Sequence, residues 1–145
     1  MGVDRLPYAR LLYHVVWATK HRQPSITDAR ETIIRDSIAA TSQEMDLTVY
    51  GVGIMPEHVH VFAQIPPTLA VARVIGRWKG ASSHAVNALT PDAQDSFAWQ
   101  EGYGVLSVSQ SGFDRVLDYV QRQRERHATR ELYGVMERTA DLDAG

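Results

Sequence analysis

Met55-Pro56-Glu57-His58-Val59-His60-Val61-Phe62-Ala63-Gln64-Ile65 reads as a tight turn feeding a β-strand. Side chains of a strand alternate between its two faces. Val59, Val61, Ala63 and Ile65 therefore share one face and can enter a core. His58 and His60 share the other, about 7 Å apart at their Cα atoms. At that spacing two imidazoles can converge on one divalent cation. The plainer reading is two histidines on the wet face of a half-exposed sheet. The segments on either side decide between them.

Upstream, residues 8–20 alternate Tyr13, Val15 and Trp17 with Leu12, His14 and Val16, a first strand. A turn at 21–25 follows. Asp28 with Glu31 three residues on resembles a capping box for a helix over about 28–45, whose apolar stripe is Ile33, Ile34, Ser37, Ile38 and Met45. Residues 47–55 form a second strand, loosened by Gly51 and Gly53, and 58–65 the third. Pro66-Pro67 stops it and Thr68 can cap the next helix, over about 69–89. Val71, Val74, Ile75, Trp78, Ala81, Ser82, Ala85 and Leu89 line its apolar face. Gly76 and Gly80 cost that helix roughly 1 kcal/mol each relative to Ala. In exchange they allow close backbone approach to the sheet or to a phosphate. A loop over 90–101 leads to a fourth strand at 103–109. A last helix over about 112–133 carries Phe113, Val116, Leu117 and Val120 on one face.

Strand–helix–strand–strand–helix–strand is the split β-α-β order of an α+β, ferredoxin-like domain. Its antiparallel sheet carries two helices on one face. Strands one and three are expected at its centre, which puts His58 and His60 mid-sheet on the opposite face. The extra C-terminal helix is the natural cover for that face.

The chain has 145 residues, enough for one domain with a sizeable core. We place that domain at residues 1–134 and an acidic, flexible tail at 135–145. Hydrophobic residues make up 44% and charged residues 22%, ordinary for a globular protein. No apolar run is long enough for a membrane span, and no signal peptide is visible. Cysteine is absent, which excludes disulfides, thiolate metal sites and cysteine nucleophiles. A reducing cytoplasm is compatible with that. A formal net charge of −2 argues against a protein coated in positive charge for non-specific duplex binding. Yet residues 1–24 hold Arg5, Arg10, Lys20 and Arg22 against Asp4 alone, and residues 69–89 hold Arg73, Arg77 and Lys79 with no acid. Local basic patches on a near-neutral protein suit a confined nucleic-acid site, or are ordinary surface charge.

The last helix contains Asp118-Tyr119-Val120-Gln121-Arg122-Gln123-Arg124. Tyr119 and Gln123, four apart, lie on one helical face. Gln123 can offer an amide oxygen to a hard cation, and Tyr119 a phenol of ordinary pKa about 10. Two imidazoles, an amide oxygen and a phenol make a coherent site for metal-assisted attack on a phosphodiester. The cation would stabilise the leaving oxygen, and the phenol would be the covalent nucleophile. A phosphotyrosine link keeps the bond's energy for rejoining, so no nucleotide cofactor is needed. Alternatively, the Tyr119 ring simply covers apolar surface.

Four motifs in register carry a family resemblance: His58-Val59-His60; Ile75-Gly76-Arg77-Trp78-Lys79-Gly80-Ala81-Ser82-Ser83; Trp99-Gln100-Glu101-Gly102-Tyr103-Gly104 with Ser107-Val108-Ser109; and Tyr119-Val120-Gln121-Arg122-Gln123. Together, over roughly residues 8–130, they resemble the single-tyrosine HUH transposases of small bacterial insertion sequences and their REP-associated relatives. The resemblance implies a ferredoxin-like dimer that works with DNA in the bacterial cytoplasm. It implies a nucleophile at Tyr119, metal ligands at His58, His60 and Gln123, and Mg2+ or Mn2+ as the ion. It implies cleavage of single-stranded DNA at subterminal hairpins through a 5′-phosphotyrosine. Gln121 is the poorer ligand, rotated about 200° from Tyr119 around the helix.

Arg122, Arg124, Arg126 and Arg130 are candidates for DNA contact, or alternate with Glu125 and Glu131 as a solvated face. Lys79 is a phosphate contact or a snorkelling surface lysine. Trp78 reads as core, His14 as a satisfied structural histidine that could share the histidine face, and His127 as a surface residue. His84 has no assigned role. Two other readings stand beside the transposase. One is a hairpin-binding DNA or RNA module of the same fold without chemistry. The other is a metal-dependent phosphodiesterase using activated water, in which Tyr119→Phe would keep activity.

Overall fold

A computed structural model describes residues 8–90 and 96–123. The elements run β1 (Leu12–Ala18), α1 (Asp28–Glu44), β2 (Thr48–Met55), β3 (His58–Gln64), α2 (Val71–Leu89), β4 (Gly104–Val108) and α3 (Phe113–Gln121). The sheet order is β2-β3-β1-β4, antiparallel throughout. The ferredoxin-like order read from the sequence is therefore present, with β1 and β3 central. Arg124, Arg126, His127, Arg130 and the 135–145 tail lie outside the described residues.

Strand parity divides the sheet into two faces. Val15 and Trp17 on β1, with Val59, Val61 and Ala63 on β3, are buried under α1 and α2 together with Ile34, Ile38, Val74, Ile75 and Trp78. Trp17 stacks on Trp78 with ring centroids 6.1 Å apart and meets Trp99 edge-on at 5.8 Å. Hydroxyls accept from two of the three indole donors on this side; the third, Trp17 Nε1, has no hydrogen-bond partner among the described residues. Trp78 Nε1 donates to Ser42 Oγ at 2.9 Å, and Trp99 Nε1 to Ser82 Oγ at 3.0 Å. Buried indole N–H groups usually find such partners, and Trp78 is core as expected.

Local details depart from the sequence reading in physically simple ways. Thr27, not Asp28, caps α1: its side chain accepts from the Arg30 amide at 3.3 Å. Glu31 then pairs with Arg35 one turn on, at 3.3 Å. Thr68 does not cap α2; the helix starts later, after Ala70, without a side-chain cap. Val86 rather than Leu89 continues its buried stripe, and Leu89 is 68% exposed. Gly76 and Gly80 face open space, with nothing within 4 Å of an added Cβ, so neither permits a close approach to the sheet.

Gly51 and Gly53 do more than loosen β2. They sit opposite Phe62 and His60, on the face that α3 covers. A Cβ on Gly53 would run into the Val120 carbonyl oxygen and lie 3.0 Å from Gln123 Cβ. A Cβ on Gly51 would sit 3.1 Å from Leu117 Cδ1. The absence of side chains lets the end of α3 settle onto the sheet beside the histidines.

Candidate active site

The second face buries Leu12, Phe62, Val116, Tyr119 and Val120 as an apolar cluster. His14, His58, His60 and Gln123 lie beside it and are enclosed, at 1%, 0%, 0% and 1% exposure. The histidine pair is thus not on a wet face: α3 covers it. The rings of His58 and His60 meet edge-on, with centroids 4.9 Å apart. Two imidazoles sharing one ion, at about 2.1 Å from each ligating nitrogen and angles near 90–110°, have centroids about 4.6–5.3 Å apart. The pair fits that requirement.

Each histidine is oriented from behind. The turn Pro56-Glu57 puts an acid directly before the strand, and Glu57 Oε1 accepts from His58 Nδ1 at 3.1 Å. Because a carboxylate only accepts, this bond holds His58 with its Nε2 lone pair pointing inward. The turn is itself anchored: the Glu57 carbonyl accepts from Thr19 N at 2.9 Å, and that of Pro56 from Ile26 N at 3.0 Å. His60 Nδ1 meets His14 Nε2 at 2.8 Å. Sequence reading left Glu57 unremarked and gave His14 only a structural role. An acid immediately before a histidine was the available signal for the first. For the second it was a lone polar residue at every-second spacing between apolar Leu12 and Val16.

Helix α3 brings the other two groups. Tyr119 packs edge-on against His60 at 5.5 Å and against His14 at 5.9 Å between ring centroids. The regular helix ends at Gln121, and Arg122 leaves helical geometry at φ −108°, ψ 24°. Gln123 follows this break and reaches the histidines, its Nε2 lying 3.4 Å from His58 Nε2. Turning the amide over presents Oε1 to the same point; the two ends of an amide are near-equivalent in shape. Among the described residues, no three or more His, Cys, Asp or Glu side chains are grouped to hold a metal ion. Gln123 brings an amide beside the two histidines.

The four residues singled out for chemistry therefore converge. Gln121 is exposed and away from the histidines, against the groove beside Gly53. Lys79, on α2, is turned to the loop before β4, where Nζ donates to the Gln100 and Gly102 carbonyls at 2.8 and 2.6 Å. Arg122 is half-exposed, 3.8 Å from Asp118. His14 also lines a cavity of about 360 Å³ between β4 and the start of α3, walled by Ser107, Ser109 and Arg115.

The family model of IS200-like transposases matches residues 7–123, most of the chain. The chain belongs to the IS200-like transposase family. It is 26% identical over 125 residues to the ISDra2 transposase TnpA of Deinococcus radiodurans, covering 81% of this chain and 86% of the relative. To the transposase of insertion sequence element IS200 from Salmonella typhimurium it is 23% identical over 117 residues, covering 78% and 76%. The crystal structure of a putative transposase from Deinococcus radiodurans superposes with a TM-score of 0.67 at 24% identity, covering 79% of this chain and 91% of the other. A REP-associated tyrosine transposase bound to a REP hairpin superposes with a TM-score of 0.64 at 14% identity, covering 85% and 72%. These superpositions bear out the ferredoxin-like fold with its C-terminal helix. Membership of the family makes the chain a transposase, an enzyme of DNA transposition and recombination. No helix among the described residues is long and apolar enough to cross a membrane.

Proposed function

We propose that this transposase cuts and rejoins single-stranded DNA at hairpin-marked ends through a 5′-phosphotyrosine at Tyr119. In this reading His58, His60 and Gln123 hold Mg2+ or Mn2+. The observation that carries it is the burial of all four groups in one place: Tyr119 edge-on to His60 at 5.5 Å and Gln123 within 3.4 Å of His58. Bound there, the ion would polarise the phosphoryl group and stabilise the departing oxygen. The Tyr119 oxygen attacks the scissile phosphorus as its phenolic proton leaves. The new O–P bond forms as the P–O3′ bond breaks, and the departing oxygen takes up a proton as a 3′-hydroxyl. Rejoining is the reverse, a 3′-hydroxyl displacing the Tyr119 oxygen. The phosphoester bond is conserved at each step, so no nucleotide is consumed.

Tyr119 is wholly enclosed, so a phosphodiester reaches it only when the cover over the histidines opens. In the same proposal Arg122 contacts the DNA backbone next to Gln123, with Arg124 and Arg126 following it in sequence. Lys79 contributes by holding the loop at Gln100–Gly102 and by its charge. The hairpin held by the REP-associated transposase supports a hairpin partner here, and the sequence resemblance supports a homodimer. The test is covalent trapping. Protein is mixed with labelled single-stranded oligonucleotides bearing hairpins from its own flanking DNA, plus Mg2+ or Mn2+, and run on a denaturing gel. A slow-migrating adduct, absent with EDTA and in Tyr119→Phe, is expected. Cleavage that survives Tyr119→Phe would instead identify a phosphodiesterase using water.

A further inference from the structure

We propose that His14 is a positioning residue for His60. It accepts the Nδ1–H of His60 and so keeps the Nε2 lone pair of that ring aimed at the ion position shared with His58 and Gln123. The inference rests on the reading of these residues as the active site.

The two ligand histidines are oriented by different chemistry. Behind His58 stands the Glu57 carboxylate, which can only accept, so the ring has one workable tautomer. Behind His60 stands a second imidazole, 2.8 Å away between Nε2 of His14 and Nδ1 of His60. The rings lie 5.0 Å apart between centroids and within 13° of parallel. One proton sits between those nitrogens, and its side decides both rings. Were His14 the donor, His60 would carry its own proton on Nε2 and could not ligate. With His60 the donor, Nε2 is a ligand and His14 is the Nδ1–H tautomer.

The register explains how His14 reaches this point. His14 opposes Phe62 on β3, and His60 opposes Val16 on β1, so the two histidines are diagonal neighbours on one face. On that face of β1, Leu12 and Val16 are apolar and buried. An apolar residue at 14 would satisfy the packing alone; an imidazole adds the acceptor His60 requires. His14 also presses edge-on against the Tyr119 ring at 5.9 Å. One buried ring thereby supports a ligand and the nucleophile together. Partners behind ligating histidines typically change metal affinity 10–100-fold.

The experiment reads the tautomers directly. Full-length protein with 15N-labelled histidine is examined by long-range 1H–15N NMR without metal, and Mn2+ affinity is measured in parallel by EPR. Wild type is expected to show His60 protonated on Nδ1. His14→Phe should shift the proton to Nε2, wholly or in part, and weaken Mn2+ binding about 10–100-fold. His14→Gln, which retains an acceptor at the same reach, should restore both. His60 protonated on Nε2 in the wild type overturns the proposal. So does a folded His14→Phe that keeps the Nδ1 proton and the Mn2+ affinity. If His14→Phe does not fold, the wild-type and His14→Gln spectra decide. The expected tautomers in a wild type that binds no Mn2+ and forms no Tyr119 adduct uphold the His14–His60 pairing and overturn the active-site reading instead.

Discussion

The two faces of the sheet are made from the same strands, yet they bury different chemistry. Under α1 and α2, helices of 17 and 19 residues, the face is apolar: Val15, Trp17, Val59, Val61 and Ala63. Under α3, a helix of nine residues, the face mixes Phe62, Val116 and Val120 with three histidines, a tyrosine and a glutamine. Apolar burial stabilises wherever it occurs, but a buried polar group costs free energy unless it is hydrogen-bonded. On the second face Glu57 pairs with His58 and His14 with His60. Odd-numbered positions of β1 and β3 thus form the larger apolar core, and even-numbered ones carry the proposed site. Substitutions on the two faces should separate stability from activity.

The sharpest break sets Trp17 against Tyr119. Both are fully buried aromatic residues on opposite sides of one sheet. Trp17→Ala removes a ring wedged between Trp78 and Trp99 and is expected to cost ~3–5 kcal/mol, enough to unfold much of the population. Tyr119→Phe keeps the ring and should shift the urea midpoint only slightly, while abolishing the covalent adduct. If Tyr119→Phe proves as destabilising as Trp17→Ala, the tyrosine belongs to the core and the division between the faces fails.

Gly53→Ala crosses that division. The added methyl would meet the Val120 carbonyl, forcing the end of α3 off the sheet at a cost of ~1–3 kcal/mol. The same shift carries Gln123 away from His58. Adduct yield should therefore fall well beyond what the lost stability explains, whereas Gly76→Ala, which faces open space, should stabilise by ~0.4–1 kcal/mol and leave the adduct unchanged. Urea denaturation and trapping on the same preparations check both.

How much of this was legible in the sequence follows the same line. Period-two alternation in 58–65 and 12–18 is a local signal, and it correctly assigned the core face; the central strands and the helix-covered side followed from the order of elements. Strand spacing paired His58 with His60 and helical spacing paired Tyr119 with Gln123; that the two pairs meet was implied by the family resemblance. Other contacts that bring distant segments together were not legible. Gly53 looks like any strand glycine until α3 is docked on it, and His14 resembles a structural histidine until β1 is placed against β3 in register. The helix caps were misjudged: Thr27 and Asp28 both offer capping oxygens, and α2 begins past Thr68, after Ala70. The break at Arg122 has no sequence signature of its own.

A milder test concerns the acid behind His58. Glu57→Gln keeps the size of the side chain and a carbonyl acceptor but removes the charge that favours the Nδ1–H form. Stability should change by less than ~1 kcal/mol, since the carboxylate is partly solvated at 26% exposure. Mn2+ affinity should drop about 10-fold, the low end for a residue acting through a ligand. A drop well beyond 100-fold, measured by EPR, would mean that Glu57 does more than orient His58.

The smallest expected effect lies on the outer surface of the stabilising face. Arg77 Nη2 and Glu44 Oε1 are 2.7 Å apart, linking α2 to α1, but their side chains are 44% and 65% exposed. A short distance there is a poor guide to energy, because solvent screens the pair and ordering two long side chains offsets the attraction. Arg77→Ala should cost ~0.5 kcal/mol or less, vanish in 1 M salt, and leave the adduct intact. One residue on, Trp78→Phe removes the buried donation to Ser42 and should cost ~1 kcal/mol or more regardless of salt. Adjacent positions on one helix then differ because one contact is closed to water and the other is not. An Arg77→Ala cost that matches Trp78→Phe and persists in salt would show that the α1–α2 layer depends on its surface ion pair, and that burial alone does not explain why this face carries the stability.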